Sequence, residues 1–313
     1  MARPVGLSII GNMKYFFNGD IKDWKSWEKI YQSTEIWKPL INFIFKKENL
    51  PVSTIENLKP GTNAVFKSGK FIIKILVPEE AGHDGNTNNK SEIFALTFAQ
   101  SSGVLVPKLI AEGEIHDKYI FSYMVMEFIE GVDFNEHTAK FNDDEKYIFA
   151  KRIRKITDSI NKPCENFNGI DVIHDQSRYI RWDDYSENLR MERLEYLNSH
   201  DFGEKVFVHG DLCYGNFIID NNNDIFIIDF EDSVIAPQSY EHAQLISVLF
   251  NFDKSYLRGY FGEYEIDNLV DLCFNGLLIH EYGGYIITHR NIAETKEITY
   301  LKDLREKLYK LFK

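Results

Sequence analysis

Residues 206 to 229 constrain this chain more than any other stretch: Val-Phe-Val-His209-Gly-Asp211-Leu-Cys-Tyr-Gly-Asn216-Phe-Ile-Ile-Asp-Asn-Asn-Asn-Asp-Ile-Phe-Ile-Ile-Asp229. Two short apolar runs, Phe217 to Ile219 and Ile225 to Ile228, read as strands. Asp220 to Asp224 between them is turn chemistry, because Asn and Asp tolerate the left-handed region and bond their own backbone. An antiparallel hairpin centred near Asn222 pairs residues whose numbers sum to about 444. Asn216 then falls opposite Ile228 and beside Asp229. Cross-strand neighbours are about 5 Å apart at Cβ, so Asn216 and Asp229 can reach one cation. Both offer hard oxygens, the ligands Mg²⁺ takes when nucleotide phosphates fill its remaining positions. Asp211, on a tight loop before Asn216, can point to the same place without ligating the metal. Any one of these residues alone is ordinary turn polarity around a buried hairpin. The conjunction of His-Gly-Asp, an Asn shortly after and an apolar strand ending in Asp-Phe favours a phosphate site.

This pattern resembles the aminoglycoside phosphotransferase and choline kinase superfamily, the small-molecule branch of the protein-kinase-like fold. Protein kinases carry H-R-D-L-x-x-x-x-N and then D-F-G. Here stand His209-Gly210-Asp211-Leu212 with Asn216, then Asp229-Phe230-Glu231, and Gly in second place is similar to the antibiotic-kinase branch. The resemblance implies an α+β fold of two lobes, a small antiparallel-sheet N-lobe and a mainly helical C-lobe. It implies that Asp211 orients or deprotonates an acceptor hydroxyl, that Asn216 and Asp229 hold Mg²⁺, and that His209 braces the loop through hydrogen bonds without acting as a base.

The resemblance extends upstream. Phe71 to Val77 is an apolar run with one cation, Lys74, inside it. It follows Lys59-Pro60-Gly61-Thr62-Asn63-Ala64-Val65-Phe66 and a Ser68-Gly69 turn, which reads as strand, phosphate-covering loop, strand, turn, strand. A strand lysine can snorkel from an edge; the family instead places a phosphate-binding lysine there. Gly61 permits close backbone approach to phosphate, and Thr62 and Asn63 can add donors. Ala81 to Lys90 reads as a polar, mobile loop. Glu92 lies in the helical stretch Ser91 to Ala99, either as the lysine's ion-pair partner or as a surface acid near the helix start. Gly103-Val-Leu-Val-Pro107 is also similar to the family. Tyr123 to Gly131 resembles the last small-lobe strand and the hinge, whose backbone at Glu127 and Ile129 is implied to bond the adenine edge. After Asp229 the chain departs from protein kinases. It has no long activation loop and no Ala-Pro-Glu, and an amphipathic helix (Glu241, Leu245, Ile246, Leu249) follows, with Ser239 as N-cap. Glu241 stands near an Asp the family often carries, which implies a supporting role behind the site.

The 313 residues divide into an N-terminal helical accessory element (1–50), a nucleotide-binding N-lobe (51–130) and a helical C-lobe (131–313) carrying the catalytic loop and the acceptor site. Trp24, Trp27, Ile30, Tyr31 and Trp37 fall near helical spacing, so the accessory element holds one or two helices, and its aromatics read as core or as a partner-docking stripe. Asp143 to Ile160, Asp183 to Leu197 and the C-terminal stretch with Leu301, Leu304, Leu308 and Leu311 read as helices. A net charge of −12 argues against nucleic acid and suits a cationic acceptor. Asp253, Glu263, Glu265, Asp267, Asp271 and Glu281 read either as acids lining an acceptor cleft or as a solvated helical face. No apolar run approaches a membrane span. Val5 to Ile10 is too short for a signal peptide, so a cytosolic protein, monomeric or dimeric, is expected. Cys164, Cys213 and Cys273 fit no metal spacing and read as reduced thiols.

The reaction implied is transfer of the γ-phosphoryl group of ATP or GTP, with Mg²⁺, to a hydroxyl of a small molecule. An aminoglycoside-type antibiotic leads. Choline, methylthioribose, homoserine and macrolides are the family's other acceptors, and a non-catalytic nucleotide-binding regulator is the alternative from another class. A protein kinase is disfavoured by the missing activation segment. The residues that bind the acceptor are not legible.

Overall fold

The computed structural model describes residues 15–59, 61–82, 85–175 and 181–313. Val5 to Ile10, Pro60, His83 and Asp84, all read above, lie outside them. The chain divides into two compact units, Met1–Lys90 with Pro107–Phe128 and Ser91–Val106 with Ile129–Lys313.

In the first unit, Asp23 and Ser26 close a capping box at the start of helix α1 (Trp24–Glu28). Ser33 caps helix α2 (Thr34–Lys47). Along α2 the buried residues Trp37, Leu40, Ile41, Ile44 and Phe45 recur at helical spacing, so one stripe faces the core. The strands are β1 (Ile55–Asn57), β2 (Ala64–Ser68), β3 (Phe71–Ile75), β4 (Leu109–His116) and β5 (Ile120–Glu127). They form one antiparallel sheet in the order β1-β2-β3-β5-β4. Phe66, Ile73, Ile75, Phe121, Tyr123 and Val125 on the sheet share a core with Trp27, Trp37 and the α2 stripe. Trp27 and Trp37 are fully buried, whereas Trp24 is exposed. Lys74 sits in mid-sheet, paired with Val65 on one side and Met124 on the other.

Helix α3 (Gly85–Ser101) begins six residues before Ser91. The loop expected over Ala81 to Lys90 is therefore short: Glu79–Ala81 is a 3₁₀ turn and Gly85 to Lys90 is helical. The polar composition misleads there, since Asn89 is polar yet buried in the helix.

The second unit carries two small sheets. β6 (Gly131–Asp133), β8 (Phe217–Asp220) and β9 (Ile225–Ile227) lie in the order β6-β8-β9, and β7 (Lys205–Val208) pairs antiparallel with β10 (Val234–Pro237). Around them stand α4 (Phe134–Thr138), α5 (Asp143–Ile160), α6 (Glu187–Ser199), α7 (Ser239–Gln244), α8 (Lys254–Phe261), α9 (Ile266–Ile279), α10 (Gly283–His289) and α11 (Leu301–Phe312). α5 has the expected bounds, opened by an Asn142–Glu145 capping box. α6 starts later than Asp183, because the Ser186 side chain accepts from Leu189 N and begins the helix there.

Two expectations for residues 239–250 are corrected. Ser239 is no N-cap: it is the first helical residue, and its buried Oγ has no hydrogen-bond partner among the described residues. The segment is also not amphipathic, since every residue from Ser239 to Phe250 is buried. The reason is close packing on α9, where a Cβ added at Gly276 would lie 1.8 Å from Ser239 O. After Gln244 the helix widens into a π turn, Leu245–Leu249. Among the described residues, no helix is long and apolar enough to cross a membrane.

Candidate active site

The β8–β9 hairpin has the register read from sequence. Phe217 pairs with Ile227, Ile218 with Phe226 and Ile219 with Ile225. Asp220 Oδ1 accepts from Asn222 N and Asp224 N, each at 2.8 Å, which closes the turn. At the open end Ile228 N donates to Asn216 O at 3.0 Å, so Asn216 and Asp229 emerge side by side. Asp229 itself has φ of 63°. A residue other than glycine in the left-handed region costs about 1 kcal/mol or more and persists where surrounding structure imposes it.

β7 delivers His209 to the centre of the site, fully buried. Its Nε2 lies 3.1 Å from Ile228 O, and Asp211 N donates to its Nδ1 at 3.2 Å. These bonds fix one neutral tautomer, with the proton on Nε2, and burial lowers the imidazole pKa. The backbone of the loop is held from α7: His209 N donates to Glu241 Oε2 at 2.6 Å, while Asn161 Nδ2 donates to Glu241 Oε1 at 3.0 Å. Burial pushes the Glu241 carboxyl up to about 7, against the opposing pull of these donors. Gly210 has φ of 84°, and a Cβ there would lie 2.0 Å from Asp232 O. That contact explains why glycine stands between His209 and Asp211.

Asp211 is clamped on both carboxylate oxygens. Asn216 Nδ2 donates to its Oδ2 and to its backbone O, each at 2.8 Å, and Gln244 Nε2 donates to its Oδ1 at 2.5 Å. Because Asn216 Nδ2 is spent on Asp211, the amide orientation is settled and Oδ1 is the atom it can offer a cation. Cys213 Sγ lies 3.7 Å from Asp211 Oδ2, and its thiol is pushed up to about 12, first by burial and then by Asp211. It is no nucleophile at neutral pH. The carboxylates of Glu92, Asp229 and Glu231 offer oxygens within 4.8 Å of one another. Asp232 behind them has its carboxyl raised well above the usual range, by burial first and then by Asp211, Glu231, Asp229 and Glu281. Hard oxygens crowded in this way fit a divalent cation such as Mg²⁺, whose charge offsets their repulsion.

The other residues singled out in the sequence fall as follows. Glu92 is buried at 3 % exposure, which rules out a surface acid. Lys74 is buried at 5 % in β3 of the first unit. In the loop before β2, Gly61 has open space around its Cα, Thr62 O accepts from Trp27 Nε1 at 3.0 Å, and Asn63 Oδ1 accepts from Val77 N at 3.1 Å. The Asn63 carbonyl therefore braces the loop. Glu127 N donates to Lys108 O at 2.9 Å, so any reading of a base by Glu127 falls to its carbonyl. Ile129 opens the second unit's main segment.

The acids of 253–281 do not line one cleft. Asp253 caps α8 and pairs with Lys146, and Asp271 pairs with Arg305. Glu263, Glu265 and Asp267 are exposed. Glu281 alone of the six acts on Asp232, and it also meets Arg181 at 3.3 Å. Sequence reasoning missed Gln244, Asn161 and Glu231. For Gln244 a signal existed: it lies three residues after Glu241, on the same helical face.

The sequence profile of the phosphotransferase enzyme family matches residues 87–272, more than half of the chain. No curated protein matches the chain in sequence. Solved structures match it in fold. The ternary complex of streptomycin, ATP and APH(2″)-IIa has a TM-score of 0.59 at 15 % identity, covering 85 % of this chain and 97 % of that one. A microcompartment-associated aminopropanol kinase gives 0.56 at 16 %, covering 86 % and 95 %. Amicoumacin kinase hAmiN, in complex with AMP-PNP, Ca²⁺ and Ami, gives 0.55 at 14 %, covering 86 % and 93 %. With its antiparallel-sheet unit, its helical unit and its His-Gly-Asp loop, the chain has the protein-kinase-like fold and belongs to the phosphotransferase enzyme family.

Proposed function

We propose that the protein transfers the γ-phosphoryl group of ATP or GTP to a hydroxyl of a small cationic molecule, with an aminoglycoside-type sugar as the leading acceptor and the cytosol as its compartment. The observation that carries this reading is Asp211, held on both carboxylate oxygens by Asn216 and Gln244, and acting with Asp229, a member of the Glu92, Asp229 and Glu231 cluster, on both His209 and Asp232. A carboxylate fixed in this way serves as the base that aligns an acceptor hydroxyl and takes its proton late in transfer. Asn216 Oδ1 and the Asp229 carboxylate would hold Mg²⁺, with Glu231 in reach. Bound there, the ion neutralises charge on the β and γ phosphate oxygens. Gly61, Thr62 and Asn63 cover the phosphates, Glu127 and Ile129 meet the base, and Lys74 and Glu92 keep the roles the resemblance implies for them. His209 stays neutral and holds the loop to Ile228 O.

The carboxylates of Asp211, Asp229, Glu231 and Glu281 all act on Asp232, and this gathering of acids favours an acceptor that carries an ammonium group. The aminoglycoside, amicoumacin and aminopropanol kinases of similar fold make amino-alcohols the first compounds to try. The test is coupled ADP release with ATP and Mg²⁺ against aminoglycosides, choline, aminopropanol and a generic protein. Turnover on an amino-alcohol supports the reading. Silence on every compound despite tight nucleotide binding would favour a regulator.

A further inference from the structure

The reading of Asp211 as the base leaves open what Gln244 is for. Gln244 is the last residue of α7 and is 4 % exposed. Its Nε2 is one of the two donors on the Asp211 carboxylate, placed on the oxygen that Asn216 does not touch. Its own Oε1 is buried and has no hydrogen-bond partner among the described residues. A buried amide oxygen left unpaired destabilises a fold, so an apolar side chain of equal length would serve packing better. The residue also stands where the α-helix gives way to the π turn Leu245–Leu249, and π turns inside helices concentrate at functional sites.

On the proposed function above, we infer that Gln244 is a positioning residue for phosphoryl transfer. Its amide is not an acid or base that can transfer a proton. It acts through Asp211: with Asn216 on Oδ2 and Gln244 on Oδ1, the carboxylate can neither rotate about its last bond nor swing out of the loop. Asn216 comes from the catalytic loop itself, so on its own it would move with Asp211. Gln244 ties Asp211 to α7, the helix that also holds His209 N through Glu241. The base is thereby referenced to a buried helix, and a misplacement of about 1 Å at a reacting group costs on the order of a hundredfold in rate.

The test is Gln244→Met, which keeps length and volume and deletes the amide, compared with Asp211→Asn and wild type in the full chain. Steady-state turnover is read by ADP release on the best acceptor found, nucleotide affinity by calorimetry and folding by thermal melt. The inference expects kcat to fall by about tenfold to a hundredfold, nucleotide affinity to stay within about twofold of wild type, and the melting temperature to hold or rise. Gln244→Glu, which sets a second carboxylate against Asp211, is expected to fall further than Gln244→Met. A Gln244→Met protein with wild-type kcat, while Asp211→Asn is inactive, overturns the inference and leaves the base intact. A Gln244→Met protein that no longer melts cooperatively makes Gln244 a packing residue and overturns it equally. Retained turnover in Asp211→Asn would instead bring down the proposed function itself.

Discussion

Replacing Gly210 by alanine separates two glycines that look alike in sequence. Gly210 and Gly215 both lie in the loop between β7 and β8 that carries His209 and Asp211. Alanine at 210 must hold φ near 84°, which costs about 1–2 kcal/mol for a residue with a Cβ. Its Cβ would also stand 2.0 Å from Asp232 O, and real Cβ contacts do not fall under 3.0 Å. The two backbones must therefore part by at least 1 Å, the difference between those two values. Forcing apart a packed pair of backbones costs about 1–3 kcal/mol more. The total loss of stability is on the order of 2–5 kcal/mol. One of the separated strands of chain carries Asp211 and the other carries Asp229 and Glu231, so turnover should also fall by about a hundredfold. At Gly215 an added Cβ meets nothing within 4 Å, and alanine there is expected to change stability by about 0.5 kcal/mol or less. Urea denaturation of both variants, with ADP release on the same samples, measures the contrast. Equal stability and equal turnover in the two variants would refute the reasoning that the Gly210–Asp232 approach shapes the site.

Glu241 is a carboxylic acid whose pKa is raised by burial from 4.5 to about 7. The folded state holds its proton more tightly than the unfolded chain, so this contribution favours folding most below pH 4.5 and declines as pH rises to about 7. A shift of that size is worth about 3 kcal/mol. In urea melts across this range the stability of wild type should fall by that amount relative to Glu241→Gln; parallel curves would deny it. Trp27→Phe keeps an aromatic ring in the core but removes the donor to Thr62 O. Nucleotide affinity should weaken by about threefold to tenfold, the worth of one hydrogen bond, and calorimetry with unchanged affinity would count against a role for α1 in bracing residues 61–63. Cys213, whose thiol is pushed up to about 12, should resist alkylation at neutral pH, and Cys213→Ser should keep most of the turnover.

The parts of the site that were legible are those fixed by local chemistry. The Asp220–Asp224 turn sets the hairpin register, and the register sets Asn216 beside Asp229. α5 and α11 could be read because their apolar residues repeat at helical spacing within a single window. What stayed hidden depends on residues far apart in the chain. Gln244 reaches Asp211 across 33 positions and Trp27 reaches Thr62 across 35, and no periodicity encodes either contact. Asp253 and Asp271 looked like cleft acids because their partners, Lys146 and Arg305, lie elsewhere in the sequence. The 239–250 helix looked amphipathic because its polar residues are buried: Glu241 and Gln244 hold the loop, and His242 packs against Tyr260 and Phe261. Pattern reasoning assigns such residues to solvent, and functional sites are where that assignment fails.

Asp211→Asn, assayed for single-turnover transfer from γ-labelled ATP to an amino-alcohol acceptor while nucleotide binding is followed on the same protein, puts the role of the clamped carboxylate to the most direct test. Transfer reduced by about a thousandfold, with nucleotide affinity within about twofold of wild type, is the predicted result. Transfer that persists at the wild-type rate would contradict the account.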